Sequence, residues 1–354
     1  MMYQIGSSII FTLYGESHSE YIGGLIEGIP KDMEINIDLI NRDLALRKPT
    51  EGIGTPRIEP DEVEFLSGIW DGKATGEKIH YHIKNTNTDS SKYDVFNRTP
   101  RPGHADLPAL VKFPDHKIKG GNQFSGRLTV SMVVAGSIAR QLISRYGIGV
   151  AAFTRSIGKI KDEEERTFED AAGSKKHPTM AATEELDSMM TKEILDASAD
   201  EDSVGGIIEC IAVGLPIGLG GTWFDALDAD IARAVFSIPA CKGIEFGKGF
   251  GLTTMRGSES NDAFYYDDGV KLHSNNMGGI LGGMSDGAPM VFRAAFKPTP
   301  SIGKEQDTVD LELMENAKLK IDGRHDPCIV PRAVIVVESV ACLVIADQII
   351  KEER

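Results

Sequence analysis

Between residues 129 and 146 the apolar positions Val133, Val134, Ile138 and Leu142 recur at helical spacing and stop at Gly147, which predicts a helix with a buried face. Ala135, Gly136 and Ala139 give that helix a face of small residues suited to close packing. The period shifts to two in Lys78-Ile79-His80-Tyr81-His82-Ile83-Lys84, predicting a strand with His80 and His82 on one face. Residues 206–213 read as another strand, closed by Gly214 and Pro216. Thr183 is a good cap for a surface helix whose first turn carries Glu184 and Glu185. Further helices are predicted over 224–238, halted at Pro239, and from Pro331 to about Lys351, where apolar residues cover most sides as in a buried helix.

These elements do not alternate in the units of about 30 residues that a parallel βαβ fold requires, so an α+β fold with antiparallel strands fits better. Gly120-Gly121 lacks the spacing of a dinucleotide-binding fingerprint, and no other glycine cluster supplies one, which argues against a Rossmann dehydrogenase. Gly23-Gly24-Leu25-Ile26-Glu27-Gly28-Ile29-Pro30 is echoed by Gly205-Gly206-Ile207-Ile208 with its later Gly214-Leu215-Pro216, so a duplicated half is one reading.

A chain of 354 residues, 41% hydrophobic and 26% charged, can bury a large core in one or two domains. The net charge of -15 argues against a nucleic-acid or anionic-membrane surface and leaves room for a local basic pocket. Many of the acids, among them Glu163, Glu184 and Asp200, fall in one stretch that reads as a solvated face. Cys210, Cys241, Cys328 and Cys342 show no metal-ligand spacing, so neither a zinc site nor a disulfide framework is expected. His80 and His82 read first as exposed strand histidines and only second as a metal pair. No apolar run is read as reaching the roughly 18 residues of a membrane span, and Met1-Met2-Tyr3-Gln4-Ile5 has no basic lead into an apolar stretch, so a cytoplasmic location is expected.

The candidate chemistry lies in glycine- and proline-containing loops. Gly15-Glu16-Ser17-His18, Arg101-Pro102-Gly103-His104-Ala105-Asp106 and Gly323-Arg324-His325-Asp326-Pro327 each place a histidine among backbone-permissive and charged residues. Taken alone, His18 and His104 are open between structural and acid–base roles, and Asp326 between a base and an ion-pair partner. Arg47, Arg57, Arg101, Arg127 and Arg324 lie near glycine or proline, and together suit a ligand with several negative charges. The run from Gly278 to Gly287 either turns sharply or offers backbone N–H groups to an anion or a flat ring. Lys297-Pro298-Thr299-Pro300-Ser301 suits a phosphate, with Lys297 as the point charge.

In content and order these motifs, with the stretch from Phe224 to Ala232, resemble the chorismate synthase family over essentially the whole chain. The resemblance implies one domain over residues 1–354, folded as a β-α-β sandwich of antiparallel sheets around helices and assembled as a homotetramer. It implies 1,4-anti elimination of phosphate from 5-enolpyruvylshikimate 3-phosphate to give chorismate, with reduced FMN and no net redox change. By similarity His104 protonates the departing phosphate, His18 keeps the flavin correctly protonated, and Asp326 helps the flavin N5 region accept the ring proton. His325 supports its neighbours. Arg47, Arg127 and Arg324 resemble the substrate arginines. Ser125, Ala240, Gly282, Lys297, Pro298, Thr299, Ser301 and Arg324 match flavin-contacting positions.

Departures from the family pattern fall near the site. Where the family has Arg-Ser-Ser-Ala-Arg-Glu-Thr, this chain reads Gln123-Phe124-Ser125-Gly126-Arg127-Leu128-Thr129, and Asn-His-Ala becomes Asn275-Asn276-Met277. A second arginine expected beyond Arg47 has no clear counterpart other than Arg57. These changes keep open a non-catalytic paralogue that binds flavin or a metabolite. A synthase that also reduces its own FMN with NADPH is a further alternative, without any glycine fingerprint for the nucleotide.

Overall fold

The computed structural model describes residues 2–55, 59–86, 91–113, 115–321 and 326–353. Two five-stranded antiparallel sheets enclose a layer of helices, the α+β sandwich that the resemblance implies. In the first sheet the strands run in the order Met2–Ile5, Ile10–Gly15, Tyr21–Glu27, Ile79–Lys84, Val63–Ser67. In the second the order is Cys241–Phe246, Met290–Phe296, Gly206–Val213, Gly149–Ile157, Ile160–Lys161.

Helices Thr129–Ser144 and Val330–Glu352 pack on each other between the sheets, the former against Tyr21–Glu27 and the latter against Gly149–Ile157 and Gly206–Val213. The small residues read from the sequence explain how closely they approach. A Cβ on Gly136 would collide with the backbone of Ser339, so no larger residue fits without moving a helix. Tyr81 is fully buried and donates its hydroxyl to the Ser131 carbonyl at 2.7 Å, fastening the first sheet to the same helix. Glu338, fully inside the core, binds Arg140 and Lys175 and accepts from the Ala152 N–H at 2.8 Å, fastening the C-terminal helix to the second sheet.

The two halves repeat one plan. Tyr21–Glu27 and Gly206–Val213 are each the middle strand of their sheet, each is followed by a helix (Ile37–Arg47 and Leu227–Phe236), and each half closes with one of the long central helices. Gly28 and Gly214 end the two middle strands with positive φ, and a Cβ on either would strike a carbonyl, of Ser8 or Gly147, just ahead of the neighbouring strand. The sequence echo around these glycines therefore coincides with matching positions in the two sheets.

The predicted helices form over Thr129–Ser144, Glu184–Ala199, Leu227–Phe236 and Val330–Glu352. Thr183 caps the second through the Leu186 N–H at 3.3 Å. The third starts later than its apolar pattern suggests, because Trp223–Asp225 first makes a short 3-10 turn. The expectation that no apolar run reaches membrane-spanning length is corrected by Val330–Glu352, which is long and apolar enough to cross a bilayer. Its apolar stretch is wholly buried between the sheets, as in the core helix of a globular protein. All four cysteines are buried and free. His80 and His82 project from one face of Ile79–Lys84, half-buried rather than exposed: His80 Nε2 meets the Tyr14 hydroxyl at 3.0 Å and His82 Nε2 meets Glu64 at 2.8 Å.

Candidate active site

A small apolar cluster outside the main core, Phe96, Ile118, Leu319 and Ile321 with Tyr93 and Leu110, draws together segments distant in sequence. Over it lies Arg101, its guanidinium 4.5 Å from the Phe96 ring centre and 5.8 Å from that of Tyr93. Arg101 grips Asp106 through Nε at 2.7 Å and Nη2 at 2.8 Å, and Asp106 Oδ1 lies 2.6 Å from Nδ1 of His104. Burial alone would raise the Asp106 carboxyl, but hydrogen bonds from Arg101 and His104 hold it well below the usual carboxylate range. Arg101 Nη2 also donates to the Gly120 carbonyl at 3.1 Å. Gly120 has φ of 74°, and a Cβ there would overlap the His18 ring, so this glycine is what lets His18 close on the loop. His18 meets Ser17 Oγ through Nδ1 at 3.0 Å and stands edge-on to Tyr93.

A second group is built from buried charges. Arg47 ends helix Ile37–Arg47 and donates to Asp61 at 2.8 Å, while Arg127 binds the other oxygen of Asp61 and approaches Glu59 at 3.7 Å. Burial lowers Arg47 to about 10, with Arg332 and Arg127 adding to the fall and Asp61 opposing it. Asp61 is pushed up by burial but held below its ordinary range by Arg47 and Arg127. Arg332 Nε donates to the Arg47 carbonyl at 3.1 Å and Nη1 to Asp326 Oδ2 at 2.6 Å. Burial raises the Asp326 carboxyl against the pull of Arg332.

The two groups are joined at both ends. Asn85 accepts from Arg127 Nε at 3.0 Å and donates to the carbonyls of Glu16 and Ser19, on either side of His18, at 3.2 and 2.7 Å. On the other side Thr299 Oγ1 donates to the Asp326 carbonyl at 2.7 Å, and Pro300 lies against Gly103, next to His104. The contacts thus close into a ring only with the help of chain neighbours: from His18 past Gly120 to Arg101, Asp106 and His104, across Gly103 and Pro300 to Thr299 and Asp326, then through Arg332, Arg47, Asp61, Arg127 and Asn85 to the backbone of Glu16 and Ser19 that flanks His18. Within it Arg47 Nε, Arg127 Nη2 and Asp326 Oδ1 are buried without a hydrogen-bond partner among the described residues. Buried polar atoms in that state are expected to meet a polar ligand or water.

The remaining expected positions divide. Ser125 accepts from the Arg127 N–H at 3.1 Å and so sets the turn that aims Arg127. Lys297 is tied to Ala240, which has φ of 71°, through an N–H to carbonyl bond of 3.0 Å. Burial, and then Lys242, lowers the Lys297 ammonium. Pro298 packs near Gly205, and Ser301 is half-buried in the same segment. Gly282, with φ of 62°, turns the hairpin of Ile280–Leu281 and Met284–Ser285 beside Trp223 and Phe246, in a shallow depression of about 400 Å³. No contact among the described residues joins Gly282 to the ring. Arg324, His325 and Arg57 lie outside the described residues.

Of the departures, Leu128 is buried in the main core. Phe124 stands a third exposed and edge-on to His116. Asn276 is held through its N–H by Asp262 at 2.7 Å. Sequence reasoning missed Glu59, Asp61, Asn85 and Arg332. Arg332 had a readable signal, a cation in the first turn of an otherwise apolar helix, where a buried charge needs a partner.

Residues 9–350 match the family described as chorismate synthase. The chorismate synthase of Thermococcus kodakarensis is 46% identical over 348 residues, covering 98% of this chain and 97% of the relative. That of Korarchaeum cryptofilum is 44% identical over 353 residues, covering 99% and 98%. A crystal structure of a chorismate synthase superposes with a TM-score of 0.78 at 26% identity, covering 98% of this chain and 93% of the other.

Proposed function

Because the chain belongs to the chorismate synthase family, we propose a division of labour among its residues. It is a lyase with chorismate synthase function in the shikimate pathway. The substrate is 5-enolpyruvylshikimate 3-phosphate, which loses phosphate and a ring hydrogen by 1,4-anti elimination. Arg47 and Arg127 bind its anionic groups, together with Arg324. His104 gives a proton to the departing phosphate from Nε2, since Nδ1 is taken by Asp106. Asp326 Oδ1 holds or moves the second proton, in keeping with its raised carboxyl. His18 keeps the neighbouring region correctly protonated.

The Lys297 ammonium, lowered by burial and set beside Pro298 and Thr299, fits a phosphorylated cofactor, and reduced FMN is the one we infer. When bound, it supplies transient electron donation that weakens the carbon–oxygen bond. Ser125, Ala240, Lys297, Pro298, Thr299, Ser301 and Arg324 would hold it, with Gly282 joining from its separate hairpin. Reduction of the FMN comes from outside this chain, and NADPH-driven FMN reduction in air would overturn that assignment. The assembly is a cytoplasmic homotetramer with no nucleic-acid or membrane partner.

The closed ring that unites His18, His104, Asp326, Arg47 and Arg127 carries this reading. His104→Ala tests it: flavin binding should persist while turnover falls by about 10² to 10⁴-fold, the contribution of a lost general acid. Unchanged turnover would remove His104 from the reaction.

A further inference from the structure

We propose that Asp106 is a positioning residue for the reaction, fixing which nitrogen of His104 exchanges protons; this rests on the reading of His104 as proton donor. Asp106 is only 2% exposed, and both of its oxygens are taken. Oδ2 accepts from the Arg101 N–H at 3.0 Å and from Nε at 2.7 Å. Oδ1 accepts from Arg101 Nη2 at 2.8 Å and lies 2.6 Å from His104 Nδ1. Arg101 is itself fixed, over the Phe96 ring and on the Gly120 carbonyl. A carboxylate gripped by both arms of a guanidinium cannot swing away, so Oδ1 meets the ring in one geometry.

Two charged groups compete for Nδ1, and distance decides between them. Arg101 Nη2 is 3.3 Å from that nitrogen and Asp106 Oδ1 is 2.6 Å. Arg101 Nη2 has hydrogen-bond geometry towards Nδ1, which would need a lone pair there, but an ionised carboxylate 2.6 Å from that lone pair would be repelled; the shorter contact therefore assigns a proton to Nδ1 with Asp106 as its acceptor. Nδ1 therefore stays protonated whether the ring is charged or neutral, and only Nε2 gains and loses a proton. A carboxylate behind a catalytic histidine acts in this way when it holds the imidazole in one tautomer.

The test uses the full-length chain, reduced FMN and the enolpyruvyl substrate under anaerobic conditions. Asp106→Asn should lower kcat by at least about 10-fold, towards the roughly 10⁴-fold loss seen when the carboxylate behind a catalytic histidine becomes an amide, with KM little changed. In the His104→Ala background the same substitution should cost nothing more, because its effect passes through His104. Nitrogen-15 NMR of the unmodified chain should show neutral His104 with its proton on Nδ1, and this needs no variant to fold. Wild-type kcat in Asp106→Asn while His104→Ala is crippled, additive losses in the double variant, or a proton on Nε2 in the unmodified chain would each overturn the proposal. Full activity in His104→Ala would instead overturn the role of His104, and the proposal with it.

Discussion

Asp326 has one oxygen on Arg332 and the other, Oδ1, buried without a hydrogen-bond partner among the described residues. A carboxyl raised by burial is poised to exchange a proton rather than to serve as a permanent anion. Asp326→Asn keeps the shape and removes that exchange, so kcat should fall by about 10² to 10⁴-fold while flavin affinity, read by fluorescence quenching, is retained. Wild-type kcat would leave Asp326 as an ion-pair partner of Arg332 only. His18, His104, Arg47 and Arg127 were legible in the sequence because glycine and proline beside a charge mark loops that meet ligands. Asp61 was not, since nothing in Glu59-Pro60-Asp61 says that two arginines 14 residues before and 66 after it converge there. Leu128 shows the opposite case: the missing glutamate looked like a damaged site, whereas the leucine fills the core.

Among the elements, the contact between the two central helices sets the tightest constraint. Gly136→Ala drives a methyl into Ser339, and overpacking of this kind costs about 1–3 kcal/mol, to be read as a lowered midpoint in urea. Glu338 carries the pH dependence of the same layer. Burial would raise its carboxyl, but Arg140 and Lys175 bring it down to about 2 from an ordinary 4.5. A depressed carboxyl stabilises the fold above the unfolded value and loses that contribution as the group protonates. Stability should therefore fall between about pH 4.5 and 2, and Glu338→Gln should flatten this part of the acid-unfolding curve while destabilising the fold at pH 7, because it takes from two half-buried cations the carboxylate they share. An unchanged acid profile would contradict the assignment. The long helices and Gly206–Val213 were readable from period and punctuation. Strand Gly149–Ile157 was not: from Val150 onward every residue is buried, so it lacks the alternation that marks a half-exposed strand.

Across the whole molecule, the two sheets share a plan but the proposed chemistry draws on both halves unequally, with Arg47, Arg127, His18 and His104 from the first and Asp326, Arg332 and Lys297 from the second. The sequence conveyed this pairing only through motif order, because ion pairs that span hundreds of residues leave no local period. The surface bears on the proposed homotetramer. Trp223 and Phe224 are 87% and 95% exposed ahead of helix Leu227–Phe236, an adjacent apolar pair of the kind found on association surfaces. Replacing both with serine should shift light-scattering mass towards smaller species, and an unchanged mass would exclude this surface from the assembly. The most direct test of the catalytic account is anaerobic turnover of 5-enolpyruvylshikimate 3-phosphate with photoreduced FMN, following chorismate absorbance and free phosphate together. The ring of residues joining His18, His104 and Asp326 predicts that both products appear in equal amounts. Flavin and substrate binding with neither product would contradict it.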